Sequence, residues 1–103
     1  MTTTRISTLE SNLEGRFYDA VRRILHGRAF KMIPTEKGMP DRLVLLPGGI
    51  IELVELKADD GALSPKQRHW HSRAAMLGTV VTVIQGVAGL REWVARRLAD
   101  QNN

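Results

Sequence analysis

The chain is predicted to form one α/β domain, a mixed sheet flanked by helices, and three observations lead there. Apolar residues recur at helical spacing around residues 9–25 and 86–100, and a capping signature at Ser64 opens a helical stretch between these, to about residue 77. Between them lie short β-rich runs bounded by Gly, Pro and Asp. One such run, TVVTVI, follows the second helical stretch, so its strand returns to the sheet by a crossover through that helix. The expected order is α-β-β-β-α-β-α.

The elements follow in turn. Residues 1–6 read as a flexible polar tail, and residues 7–100 as the domain. The first helix is expected to start at Ser7, because STLE has the form of a capping box with Glu10 as its acidic partner. Its stripe is Leu9, Leu13, Phe17, Val21, Ile24 and Leu25, with Gly27 as the stop. RAFKMIP is a short strand, TEKGMP a loop, and DRLVLL and IIELVELK two strands joined by Pro47-Gly48-Gly49. The second helix opens with Ser64 as cap, Pro65 at its first position and Gln67 at its third, and stops at Gly78. TVVTVI is a buried strand, and GVAGLREWVARRLAD a last helix that buries Leu90, Trp93 or Val94, and Leu98.

Composition narrows the class. At 103 residues and 43% hydrophobic content the chain can bury a modest core. No run approaches the roughly 18 apolar residues that span a bilayer, and the first residues lack the apolar segment of a secretory signal. There is no cysteine, which excludes disulfides and thiolate metal sites and fits a reducing compartment. The net charge of +4 favours a polyanionic partner.

The hairpin holds the chemistry. With a three-residue turn, Leu46 faces Ile50 and Asp41 falls opposite Glu55. A two-residue turn would put Leu56 there instead. Directly opposed Cβ atoms lie about 4.5–5.5 Å apart, and like charges at that distance are destabilising. Two such carboxylates share a proton or hold a cation, and Mg²⁺ is commonly held by one or two carboxylates together with water and phosphate. Lys57 shares the face of Glu55, about 6.6 Å along the strand. Glu52 points to the other face.

Pro40-Asp41, thirteen intervening residues and then Glu55-Leu56-Lys57 resemble the PD-(D/E)xK nuclease motif. More narrowly, GMPDRLVLLPGG, VELK and LSPKQRHWH…LG are similar to the VRR-NUC (virus-type replication-repair nuclease) domain in its short stand-alone phage and bacterial form, over about residues 7–86. The resemblance implies a restriction-endonuclease-like core and a metal-dependent endonuclease selective for DNA structure, with four-way (Holliday) junctions as the first substrate. It implies that Asp41 and Glu55 ligate Mg²⁺ or Mn²⁺ and that Lys57 is the catalytic lysine. It further implies site roles for Glu14 and Gln67, a homodimer, and a place in the cytoplasm of a bacterium or phage-infected host. A nickase, flap nuclease or restriction-type enzyme of the same fold is the alternative, and a non-catalytic nucleic-acid-binding module the rival from another class.

Other residues are weighed beside these. Lys31, Lys37 and Arg42 flank the proposed site as phosphate contacts. Lys66, His69 and Arg73 share one face of the second helix and are candidates for the same role. His69 and His71, two apart on a helix, do not face one another and make no metal pair. Arg91, Arg96 and Arg97 read as plain surface, and Trp70 and Trp93 as candidates for a dimer interface.

Overall fold

The structure, a computed structural model, describes the backbone from residue 2 to residue 103 and the side chains from residue 12 onward. The elements are α1 (Thr2–Arg23), β1 (Arg28–Lys31), β2 (Arg42–Leu46), β3 (Ile50–Lys57), α2 (Pro65–Met76), β4 (Thr82–Gln85) and α3 (Gly86–Asn102). The order is the expected one. The four strands lie in the order β1-β2-β3-β4. The first two pairings are antiparallel, and β3 and β4 are parallel across the α2 crossover.

One face of the sheet carries the core. Leu13, Phe17, Val21 and Leu25 of α1 pack with Val44, Leu46, Val54 and Ile84 of the sheet and Leu90 and Trp93 of α3. The fourfold spacing on α1 is one helical face, and alternation along each strand supplies the facing residues. Phe17 sits between Tyr18 and Trp93, with ring centroids 5.4 and 5.8 Å away. Trp93 is 2% exposed and belongs to this core. It is therefore not available to a dimer interface.

α2 lies over the other face. Its sheet-facing stripe is Gln67, Trp70, His71 and Ala74, of which only Ala74 is fully buried. Its first turn closes as expected. Ser64 Oγ accepts from the Gln67 amide at 3.1 Å, and the Ser64 amide donates to Gln67 Oε1 at 2.9 Å.

Several boundaries differ from the sequence reading. α1 begins at Thr2, so Ser7 is inside the helix and not at its cap; the side chains of Ser7, Leu9 and Glu10 lie outside the described residues. Ile24 is 45% exposed and leaves the α1 stripe. At the helix end His26 takes the left-handed conformation. Gly27 is needed for a different reason, since a Cβ there would strike the carbonyl of Leu45. β1 ends at Lys31, and β4 begins at Thr82, leaving Val80 exposed. Both are edge strands, and each lasts only as long as its single neighbour pairs with it.

Candidate active site

The β2–β3 hairpin sets the site. Leu46 pairs with Ile50 and Arg42 with Val54. One step further in the same register brings Asp41, just before β2, opposite Glu55. Two of the glycines in Pro47-Gly48-Gly49 adopt positive φ, +89° and +76°, which the tight three-residue turn requires. The three-residue reading of the turn therefore holds, and the two-residue alternative does not.

Glu55 is 7% exposed, and its Oε1 is buried without a hydrogen-bond partner. Burial pushes its carboxyl above the usual range, and the Asp41 carboxylate pushes it further, while Lys57 and Arg42 offset part of the rise. Asp41 and Lys57 are half-buried. A small cleft of about 170 Å³ is lined by Leu13, Glu14, Arg42, Leu56, Lys57 and Ala58, so α1 and the ends of β2 and β3 meet there. Of Asp41, Glu55 and Lys57, only Lys57 lines this cleft, and none of the three lines the larger groove of about 480 Å³ between α1 and α3.

Arg42 requires a correction. It was expected to meet phosphate from solvent, but the guanidinium is buried, 5% exposed as a residue. Register explains why: Arg42 pairs with Val54, a core residue, and so points inward. Nη2 donates to Glu14 Oε2 at 3.0 Å. Nη1 lies 2.7 Å from Asp41 Oδ1 as an ion pair without hydrogen-bond geometry. The Tyr18 ring covers the guanidinium at 5.9 Å. Arg42 thus ties α1 to the acidic end of the hairpin and balances its charge.

The other candidates fall into two groups. Glu14 reaches the site through Arg42 and lines the cleft beside Lys57. Gln67 caps its own helix through Oε1. Lys37, Lys66, His69 and Arg73 are exposed, as a phosphate-contacting set must be. The loop of Lys37 rests on the first turn of α2: Gly38 has φ +89°, and a Cβ there would collide with the carbonyl of Lys66. Trp70 Nε1 donates to Glu36 Oε2 at 2.9 Å and closes the same contact.

One residue was missed. His71 Nε2 lies 3.8 Å from Glu55 Oε1, and both atoms are buried and unpartnered. Burial, with Lys57 nearby, pushes the imidazole below its usual range. The signal was present: His71 stands four positions after Gln67, on the inward stripe of α2. Arg97 was also misplaced, since its Nε donates to Glu52 Oε2 at 2.8 Å on the core side.

Among the described residues no three His, Asp or Glu side chains gather as a ready ligand set. Two carboxylates do fit a hard cation that keeps water and phosphate in its remaining positions. A buried carboxylate oxygen with no donor, next to a second carboxylate, is the electrostatic demand such an ion meets.

Comparison with known proteins bears on the family and the fold. The VRR-NUC domain family model matches residues 8–88. A protein of Acyrthosiphon pisum secondary endosymbiont phage 1 named "Putative nuclease p44" is 41% identical over 76 residues, which is 73% of this chain and 81% of that protein. A solved structure described as a VRR_NUC domain superposes with a TM-score of 0.65 at 29% identity, covering 80% of this chain and 94% of that one. With most of its length matched and its hairpin carrying the acidic pair and lysine, the chain belongs to the VRR-NUC nuclease domain family.

Proposed function

We propose that this chain is a divalent-metal-dependent endonuclease that hydrolyses phosphodiester bonds in branched DNA, four-way junctions first among them. The observation that carries the reading is Glu55. It is a buried carboxylate with an unpartnered oxygen, set beside Asp41 and Lys57 in a nuclease-family fold. Asp41 and Glu55 would hold Mg²⁺ or Mn²⁺. When bound, the ion would polarise the scissile phosphate and lower the pKa of the attacking water. Lys57 would place its ammonium against the charge that grows on the phosphoryl oxygens. Arg42 orients Asp41 and Glu14. Lys37, Lys66, His69 and Arg73 would grip the backbone, a contact that positions DNA without reading its sequence.

The substrate preference goes with assembly. A junction is cut on two strands at symmetric positions, and a C₂ homodimer brings two such sites under matching symmetry. Met76 at the end of α2, Leu77 and Val80 just beyond it, and Ile51 on the outer face of β3 expose apolar surface that a second copy would cover.

The test is a cleavage panel of four-way junction, flap and linear duplex, each with Mg²⁺, Mn²⁺ or EDTA. Paired symmetric cuts in the junction, lost in EDTA, are expected. Preferential cutting of flap or duplex would move the substrate to the alternative, and cutting in EDTA would remove the metal. Light scattering at micromolar protein, with and without junction, checks the dimer. A monomer in both conditions that still makes paired cuts would refute it.

A further inference from the structure

α2 turns four residues toward the sheet, and two of them, Gln67 and His71, are polar. Packing alone does not call for a histidine there. Gln67 already has its task in the capping box. His71 has none within the helix, its side chain is 12% exposed, and its Nε2 finds no partner among the described residues. The atom it faces, Glu55 Oε1, lacks a partner too. Leaving one such buried group unsatisfied is costly, and here two face each other across 3.8 Å, beyond hydrogen-bond distance.

We infer that His71 is a positioning residue for the metal site: its Nε2–H donates to the Glu55 carboxylate and fixes its orientation beside Asp41, so that the carboxylate would be held ready for the ion. The inference rests on the assignment of Glu55 as a metal ligand. It requires only a proton on Nε2, which the ring carries in one neutral tautomer and in its charged form alike. An outer partner of this kind fixes the ligand's rotamer and orients its lone pairs, and its loss costs about 10–100-fold in metal affinity. The helix that carries His71 is anchored on purpose-built contacts. Its first turn is capped by Ser64, Gly38 lets the preceding loop sit against Lys66, and Trp70 holds Glu36. A ring on so fixed a helix offers its donor in one place.

Side-chain reach separates positioning from mere filling. A Gln at this position carries its N–H₂ near the place of Nε2, whereas Asn carries it near that of Nδ1. Mn²⁺ binding to the full chain without DNA, followed by titration calorimetry, is the readout. His71→Ala and His71→Asn should weaken Mn²⁺ binding about tenfold or more, and His71→Gln should recover to within about threefold of the parent, because a positioning donor is replaceable by another. Equal affinity of the Gln and Asn variants would overturn the inference, even if the Ala variant fails to fold. So would a Gln variant as weak as Ala, which would make His71 a direct ligand. The parent protein and Glu55→Ala are run alongside. If the parent binds no Mn²⁺, the metal reading falls and takes the role of His71 with it. If the parent binds, Glu55→Ala does not and the Asn variant matches the parent, only the role of His71 is lost.

Discussion

Glu52 and Glu55 leave the same strand three positions apart and are almost equally hidden from solvent, at 9% and 7%. Their surroundings are opposite. Glu52 faces the core side, where Thr82 Oγ1 donates at 2.6 Å, Arg97 Nε at 2.8 Å and Trp93 Nε1 at 3.2 Å. Burial alone would push it up, but these hydrogen bonds and the Arg97 charge outweigh burial and hold the carboxyl below its usual range. Glu55 faces α2 with one oxygen unpartnered and Asp41 adding its charge, and it is pushed up. Burial does not distinguish a structural carboxylate from a functional one. On the proposed assignment the completeness of its hydrogen bonding does: the satisfied Glu52 holds the fold, and the unsatisfied Glu55 would be held ready for a ligand.

The sharpest way to break that contrast is to remove Glu55. Glu55→Ala or Asp41→Ala should cut DNA cleavage by about a thousandfold or more, the upper range for losing one transition-state contact. Binding of DNA should persist, because phosphate contacts supply most affinity. In EDTA the melting temperature of Glu55→Gln should match or exceed the parent's; a large drop would place Glu55 with Glu52 as a structural group.

Glu52→Ala should do the reverse. Stranding Arg97 and Trp93 should cost about 3–5 kcal/mol in urea unfolding, while the fraction that remains folded cleaves normally. A stable but inactive Glu52→Ala would invert the comparison. Lys57→Ala is next in size, about a hundredfold in single-turnover rate with Mn²⁺ affinity kept, and lost affinity with an unchanged rate would contradict its role.

The smallest effect is in pH. Glu52 has a lowered folded pKa, so its stabilisation is present above its ordinary value of 4.5 and is lost as pH falls through the folded value. Glu55 has a raised one, so in metal-free protein its contribution is full below 4.5 and is lost as pH rises through the folded value. Melting curves in EDTA from about pH 2.5 to about pH 7 should therefore lose slope of opposite sign, below 4.5 in Glu52→Gln and above it in Glu55→Gln. Slopes of the same sign in both would show that the two groups do not differ as described.

The acidic hairpin was the most legible part of the chain. A turn of three residues and a period of two fix the register, and the register fixes which side chains meet. The same rule already implied that Arg42 faces the core, since its partner is Val54. The edges of the sheet were less legible. Val80 and Val81 are as β-branched as Val83, but the parallel pairing begins only at Thr82 with Val54, although β3 itself starts at Ile50. The start of α1 could not be fixed because Ser and Thr can open a helix at several places, and the helix runs through Ser7 to Thr2. The contact between His71 and Glu55 joins a helix to a strand, and no spacing along the chain reports the angle at which α2 crosses the sheet.

The contact between Gly38 and Lys66 gives two distant segments a common fate. Gly38 stands three residues before Asp41, and Lys66 stands five before His71. Because the backbones touch with no room for a methyl group, displacing either one shifts both sides of the site together. Substitutions on the two segments should therefore show epistasis. In Mn²⁺ titration a Gly38→Ala change should weaken binding more in the parent than in a His71→Ala background, where the donor that the shift would displace is already gone.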